Sequence, residues 1–313
     1  MKPLVVALDG SSFADAALPV ALGLARSLRA DLELVSVVDT DPWRYATGGA
    51  PFADRQLEQE RQAEWRDAVQ RYLDGARARL QSVPDAPPVR TCLLAGPVAD
   101  TLIAHASEID ASMLIVTTHG RGGLSRSWLG SVTEALLRST PVPLVAVRPH
   151  ETPLPPYTLP EWHLHRVLVA LDGSPGGEQV LDPLRPLLAG GAECVLMRAV
   201  SPLHPMLRAV ATGQEYERDL AEQRDLVTTY LRGVEARLLH TGLSATHCAH
   251  EEFEPHRAIV ECADTLDADL IALATHGRGL TGRLLLGSVA DKVLRTASRP
   301  VMLYRISDQS STP

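Results

Sequence analysis

The chain has 313 residues, of which 45% are hydrophobic and 22% charged, with a formal net charge of −8. That length suits two ordinary domains of ~150 residues, and the acidic balance argues against a general nucleic-acid-binding surface. No run of 18 or more apolar residues exists, and the start MKPLVVALDG has no charged-then-apolar leader, so no membrane span is expected and the cytoplasm is the expected location.

Short apolar runs alternate with helical patterns along the first half. Leu4–Leu8 reads as a strand, Ala14–Leu28 as a helix, Leu32–Val38 as a strand, and Leu57–Gln81 as a long polar-faced helix. Val89–Leu94, a helix over Val98–Ala106, Met113–Thr117, a helix over Ser131–Arg138 and a strand over Pro143–Val147 complete it. The second half repeats that order: strands at Val167–Leu171, Cys194–Val200, Thr246–Ala249, Leu270–Ala274 and Val301–Tyr304, with a long helix near Glu215–Leu239. Short buried runs alternating with helices predict an α/β fold: two doubly wound five-stranded parallel-sheet domains in tandem. The expected boundaries are a domain over 1–149, a Pro-rich linker over 150–165, a second domain over 166–306, and a disordered tail over 307–313.

The repeat is also literal. LVVALDGS (4–11) returns as VLVALDGS (167–174), and TTHGRGGLSRSWLGS (117–131) returns as ATHGRGLTGRLLLGS (274–288), with nine of fifteen positions identical. In doubly wound sheets ligands bind beyond the carboxyl ends of the strands, where the strand order reverses. Asp9 and Asp172 close the first strands, and the Gly/Arg segments follow the fourth, so both fall at that crevice. Gly120 follows a strand, where glycine permits a sharp turn and close approach to the backbone. Gly130-Ser131 opens a helix whose free N–H groups and positive dipole end suit a phosphate. Arg121 and Arg126 add positive charge, and the second copy supplies Gly277, Arg278, Arg283, Gly287 and Ser288.

The same residues fit a plainer role. Ser131-Val-Thr-Glu134 and Ser288-Val-Ala-Asp291 have the spacing of a capping box, which satisfies the same N–H groups. Asp9 and Asp172 suit either ribose hydroxyls or the cap of the following helix. The stretches 46–49 and 211–214 are read as connectors, with a covering role for the site as the alternative. The patterns GxxxxGK[ST], GxGxxG after the first strand and GxSxG are all absent. Only Lys2 and Lys292 are lysines, so no lysine serves each site, and no catalytic residue is assigned. Cys92, Cys194, Cys248 and Cys262 form no CxxC pair and are expected as reduced, buried thiols. His247 and His250 fall on opposite faces of a strand, so no metal site is expected.

VALDGS, the acidic close of the second strand (Val37-Val38-Asp39), and THGRG followed by LGS and VPLVAV together resemble the universal stress protein family. The resemblance covers residues 3–149 and 165–306. It implies a Rossmann-like, adenine nucleotide α-hydrolase-like fold and a cytoplasmic regulatory module binding ATP or ADP, with or without Mg2+. It places adenine near Val37 and ribose on Asp9 or Asp172. Phosphates would sit on the Gly/Ser elements, Gly120, Gly130 and Ser131 with Gly277, Gly287 and Ser288, and the nucleotide-binding set would further include Thr118, His119, Arg121 and Val132, and Thr275, His276, Arg278 and Val289. The nucleotide-binding pattern of the family opens on a glycine that is Thr117 here and Ala274 in the second copy. Phe253 near the end of the second copy's third strand makes the two sites unequal. The resemblance further implies pairing of the two domains through their fifth strands, with a homodimer as a further arrangement. A non-nucleotide scaffold and a slow ATPase stay open as alternatives.

Overall fold

The computed structural model describes residues 2–39, 55–118, 129–149, 159–201, 213–276 and 287–306. The chain divides into two compact units, Met1–Trp162 and His163–Pro313.

In the first unit the strands are β1 (Leu4–Ala7), β2 (Leu32–Val38), β3 (Val89–Ala95), β4 (Met113–Thr117) and β5 (Leu144–Val147). The helices are α1 (Ala17–Leu28, after a 3-10 turn at Ala14–Ala16), α2 (Arg55–Gln81), α3 (Val98–Glu108) and α4 (Ser131–Ser139). The strand order is β3-β2-β1-β4-β5 and every pair is parallel. The chain moves outward from β1 through β3, then returns to the other side of β1, so the order reverses between β1 and β4. Leu4, Val5 and Val6 at its centre are wholly buried because helices cover both faces.

The second unit repeats this with β6 (Arg166–Ala170), β7 (Glu193–Val200), β8 (Ala245–Glu251), β9 (Leu270–His276) and β10 (Val301–Ile306). Its order is β8-β7-β6-β9-β10, again all parallel. The helix expected after β6 is interrupted: α5 (Pro175–Glu178) ends before α6 (Leu181–Ala189) begins. The remaining helices are α7 (Gly213–His240), α8 (Pro255–Thr265) and α9 (Ser288–Thr296).

Each long helix buries one stripe. Val69, Leu73, Ala76 and Leu80 recur every three or four residues on α2, as do Val227, Leu231, Val234 and Leu238 on α7, and all eight are buried. Burying each leucine contributes about 1.5–3 kcal/mol. A polar clamp fixes α2 further: the Tyr72 hydroxyl donates to Asp15 Oδ1 at 2.6 Å, and Arg79 Nη1 donates to Asp15 Oδ2 at 2.7 Å. In the second unit Arg237 pairs with Glu178 in the corresponding first turn. Gly23 on α1 meets the chain's own Trp162, whose ring would lie 2.4 Å from a Cβ at that position, so only glycine permits this approach.

Candidate functional site

The crevice expected from the strand order is built first by the turn after β1. Asp9 Oδ1 accepts from the Ser11 backbone N–H at 2.9 Å and from its hydroxyl at 2.6 Å. Ser11 Oγ in turn accepts from Ala14 N–H at 3.3 Å. The second unit repeats this. Asp172 Oδ1 accepts from Ser174 N–H at 2.8 Å and Oγ at 2.7 Å, and Ser174 Oγ accepts from Gly177 N–H at 3.0 Å. The aspartate therefore orients the serine in both units, and in the second the serine is the N-cap of α5. Gly10 and Gly173 hold φ of 82° and 87°, the left-handed turn that glycine tolerates.

The second wall is the end of β4 and the start of α4. Thr118 is buried; its N–H donates to Val147 O at 2.9 Å, and its carbonyl accepts from Gly130 N–H at 2.8 Å. Thr133 Oγ1 donates to Thr117 O at 3.1 Å. The two ends of the Gly/Arg segment are thus tied together at the strand end. His119, Gly120, Arg121 and Arg126 lie outside the described residues, as do Gly277, Arg278 and Arg283. Also outside are the 46–49 loop, Ala211 and Thr212, the 150–158 part of the linker, and the tail. Thr275 is buried near the end of β9, and the backbone of His276 closes that strand.

The capping box does not form in either unit. Gly130 and Gly287 are the N-caps, with φ of −60° and −54°, and neither helix has a side-chain cap. Ser131 and Ser288 are exposed residues one step inside the helix, so their hydroxyls are misplaced for capping. The acids expected to reach back are engaged forward instead: Glu134 with Arg138 at 3.2 Å, and Asp291 with Arg295 at 2.8 Å. The helix start that carries Ser131 and Val132, like that of Ser288 and Val289, therefore presents its N–H groups with no side chain of its own covering them.

Val37 is half-buried near the end of β2, where Gly96 (φ 145°) donates its N–H to Val38 O at 3.0 Å. In the second unit Phe253 is 43% exposed, yet a different residue distinguishes the two turns. The strand registers make Arg198 of β7 the counterpart of Ser36 of β2. A Cβ on Gly173 would lie 2.2 Å from Arg198 Nη1, and the same guanidinium stands 5.3 Å from the Tyr230 ring centroid. Ser36 is buried and ends at a hydroxyl. Sequence reasoning missed Arg198; aligning β2 with β7 position by position was the signal that would have found it.

His247 and His250 do face apart: His247 Nδ1 meets Glu235 of α7 at 2.6 Å, and His250 Nε2 meets Glu261 of α8 at 3.4 Å. Cys194 and Cys262 are buried as expected, but Cys92 and Cys248 are only half-buried, because each lies on the third strand at the edge of its unit's strand order. No described helix is long and apolar enough to cross a membrane.

The universal stress protein family matches the chain twice, over residues 1–148 and 163–305. A universal stress protein of Mycobacterium tuberculosis is 32% identical over 214 residues, an alignment covering 66% of this chain and 65% of that relative. A second one from the same species is 25% identical over 310 residues, covering 97% of this chain and 96% of its own length. Among solved structures, a universal stress protein from Archaeoglobus fulgidus superposes with a TM-score of 0.64 at 17% identity, covering 98% of this chain and 97% of that one. Two matches of the family in series, on two units of one topology, establish that the chain belongs to the universal stress protein family as a tandem of two of its domains.

Proposed function

We propose that the chain is a cytoplasmic regulatory module that binds an adenine nucleotide, ATP or ADP, in the crevice of each unit. The observation that carries this reading is the uncapped start of α4 standing after the strand next to Asp9, on the two sides of the reversal in strand order. Phosphate oxygens would accept from the N–H groups of Ser131 and Val132 and from the Ser131 hydroxyl, where the helix dipole favours negative charge. Ribose hydroxyls would meet Asp9, and adenine would lie against Val37. A phosphate needs close approach to Gly130, and the ordinary φ at this residue means its backbone conformation does not itself demand glycine.

The second unit offers Asp172, Gly287, Ser288 and Val289 in the same arrangement. Arg198, whose guanidinium lies against Gly173 beside Asp172, crowds its ribose end, so the first unit holds nucleotide more tightly. The test is to purify the chain without added nucleotide, denature it, and quantify released ATP, ADP and AMP. More than one nucleotide per chain is expected, with Gly130→Asp removing the larger share. None released, together with no heat on titration with Mg-ATP, would overturn the proposal.

A further inference from the structure

A second chemistry sits at the opposite end of the first unit's strands. In register, Glu33 of β2 lies beside Arg90, and Val35 lies beside Cys92. Paired residues of parallel strands share a face and residues two apart return to it, so Glu33 and Cys92 lie on one face of the sheet. His105, in the last turn of α3, completes a cluster there: its Nε2 is 2.9 Å from Glu33 Oε1. One donor atom from each of Glu33, Cys92 and His105 lies within 4.8 Å of the other two. The imidazole and carboxylate are 12% and 16% exposed, sheltered yet reachable from solvent.

We infer that Glu33, Cys92 and His105 bind a divalent transition-metal cation, with Zn2+ the ion their donors suit. One thiolate, one imidazole and one carboxylate are the zinc donor set, whereas Mg2+ and Ca2+ favour oxygen alone. Three protein donors leave a fourth tetrahedral position to water. With metal–ligand distances of about 2.0–2.3 Å, donors around one ion stand roughly 3.3–3.8 Å apart, so side-chain adjustments of about 1 Å suffice. Without a cation, burial and then the Glu33 and Glu108 carboxylates push the Cys92 thiol up. A dication reverses that balance by stabilising the thiolate among the same groups.

The second unit gives an independent view of this position. Leu32 pairs with Val89 where Cys194 pairs with Ala245, so Cys92 corresponds to Cys248 and Glu33 to Val195. Ala111 N–H bonds to Ala106 O as Ala268 N–H bonds to Ala263 O, so His105 corresponds to Cys262. Cys248 and Cys262 are themselves in contact, Sγ to Sγ 3.1 Å. Both units thus place two sulfur or imidazole donors between the third strand and the helix that follows it. Only the first adds a carboxylate; the second has buried Val195 there. The cluster is separate from the nucleotide crevice, because Glu33 pairs with Val5 near the start of β1 while Asp9 lies beyond its end.

The test uses the full chain carrying Cys248→Ser and Cys262→Ser, reduced, stripped with EDTA and desalted. Co2+ is titrated in while the thiolate-to-cobalt charge-transfer band and the visible d–d bands are followed, and Zn2+ is then added to displace it. One cobalt per chain with tetrahedral d–d bands and a thiolate band is expected. Adding Cys92→Ser should abolish the charge-transfer band. His105→Gln and Glu33→Gln should each weaken zinc by at least the ~100-fold that losses in a metal's outer shell reach. His105→Gln keeps a hydrogen-bond donor for Glu33, and an unchanged melting curve would show that the fold survives. A chain that shows no thiolate band, or that keeps the same band and zinc affinity after Cys92→Ser, would overturn the assignment.

Discussion

Placing an aspartate at Gly130 should move stability and nucleotide binding in opposite directions. Gly130 has φ −60° and ψ 143°, a conformation open to any residue, and it is the N-cap of α4 with no side-chain cap present. A Cβ there would sit 3.2 Å from Thr118 O, a contact relieved by a shift of a few tenths of an ångström, and no described atom lies within 4 Å of a Cβ on Gly287. Aspartate is among the preferred N-cap residues and exceeds glycine by a few tenths of a kcal/mol, with ~0.3–1 kcal/mol more from the helix dipole. The sum is a gain of about 0.5–1 kcal/mol, or roughly +1 to +4 °C in the Tm of a domain this size. That carboxylate bonds to the N–H groups proposed for phosphate, and it sets a like charge about 4 Å away. The repulsion there is about 1 kcal/mol at the dielectric of water and about 4 kcal/mol at that of a protein surface. Nucleotide affinity should therefore fall between about fivefold and 1,000-fold. Differential scanning calorimetry of the nucleotide-free protein and isothermal titration with Mg-ATP read the two quantities separately, for Gly130→Asp, Gly287→Asp and both together. A double variant that melts higher yet binds as the parent does would show that phosphate does not use these helix starts.

Arg198→Ser, which restores in β7 the residue found at Ser36, should raise nucleotide occupancy of the second unit; an unchanged stoichiometry in the Gly130→Asp background would remove Arg198 as the cause of asymmetry. The clamp on α2 is mostly buried, with Arg79 and Asp15 side chains 15% and 13% exposed. Arg79→Met should therefore cost about 3 kcal/mol by stranding the Asp15 carboxylate, and a urea-unfolding loss below about 1 kcal/mol would mean that water reaches it. Burial, then the Glu193 carboxylate, push the Cys194 thiol up to about 12 from an ordinary 9.0. The unfolded chain loses that proton first, so the stability from the buried thiol is complete below about pH 9 and is lost as pH rises towards 12. Above pH 9 the unfolding free energy should fall by up to about 1.4 kcal/mol per pH unit more steeply in the parent than in Cys194→Ala, and parallel slopes would refute this.

The frame was legible because both halves spell the same order of short apolar runs and helices. A buried parallel strand such as LVVA needs little context. Local devices were legible only to within a residue. Ser-x-x-Glu at 131–134 has the letters of a capping box, yet the helix starts one residue earlier than that box requires, so glycine takes the cap. Composition at a helix start does not say which neighbour holds the non-helical backbone. Contacts between distant segments were not legible. The Asp15–Tyr72–Arg79 clamp spans 57 and 64 positions, and Glu33 with His105 spans 72. No spacing motif covers such distances; the sheet register and the helix crossing above it bring the residues together.

The internal repeat turns that gap into an argument. Positions that fix the backbone recur in both units: Asp9 and Asp172, Gly10 and Gly173, Gly130 and Gly287, and the left-handed Asp110 and Asp267. Positions on the strand faces and on the helix after the third strand diverge, with Ser36 against Arg198, Glu33 against Val195 and His105 against Cys262. A frame kept by backbone devices tolerates new side chains on its faces, because turns and caps fix where each strand ends whatever its face carries. Two units of one topology can therefore differ in ligand strength at the carboxyl ends of their strands and in donor chemistry near the amino ends. Each difference is testable alone, since Arg198→Ser should leave the Cys92 thiolate band intact and Cys92→Ser should leave the released nucleotide unchanged.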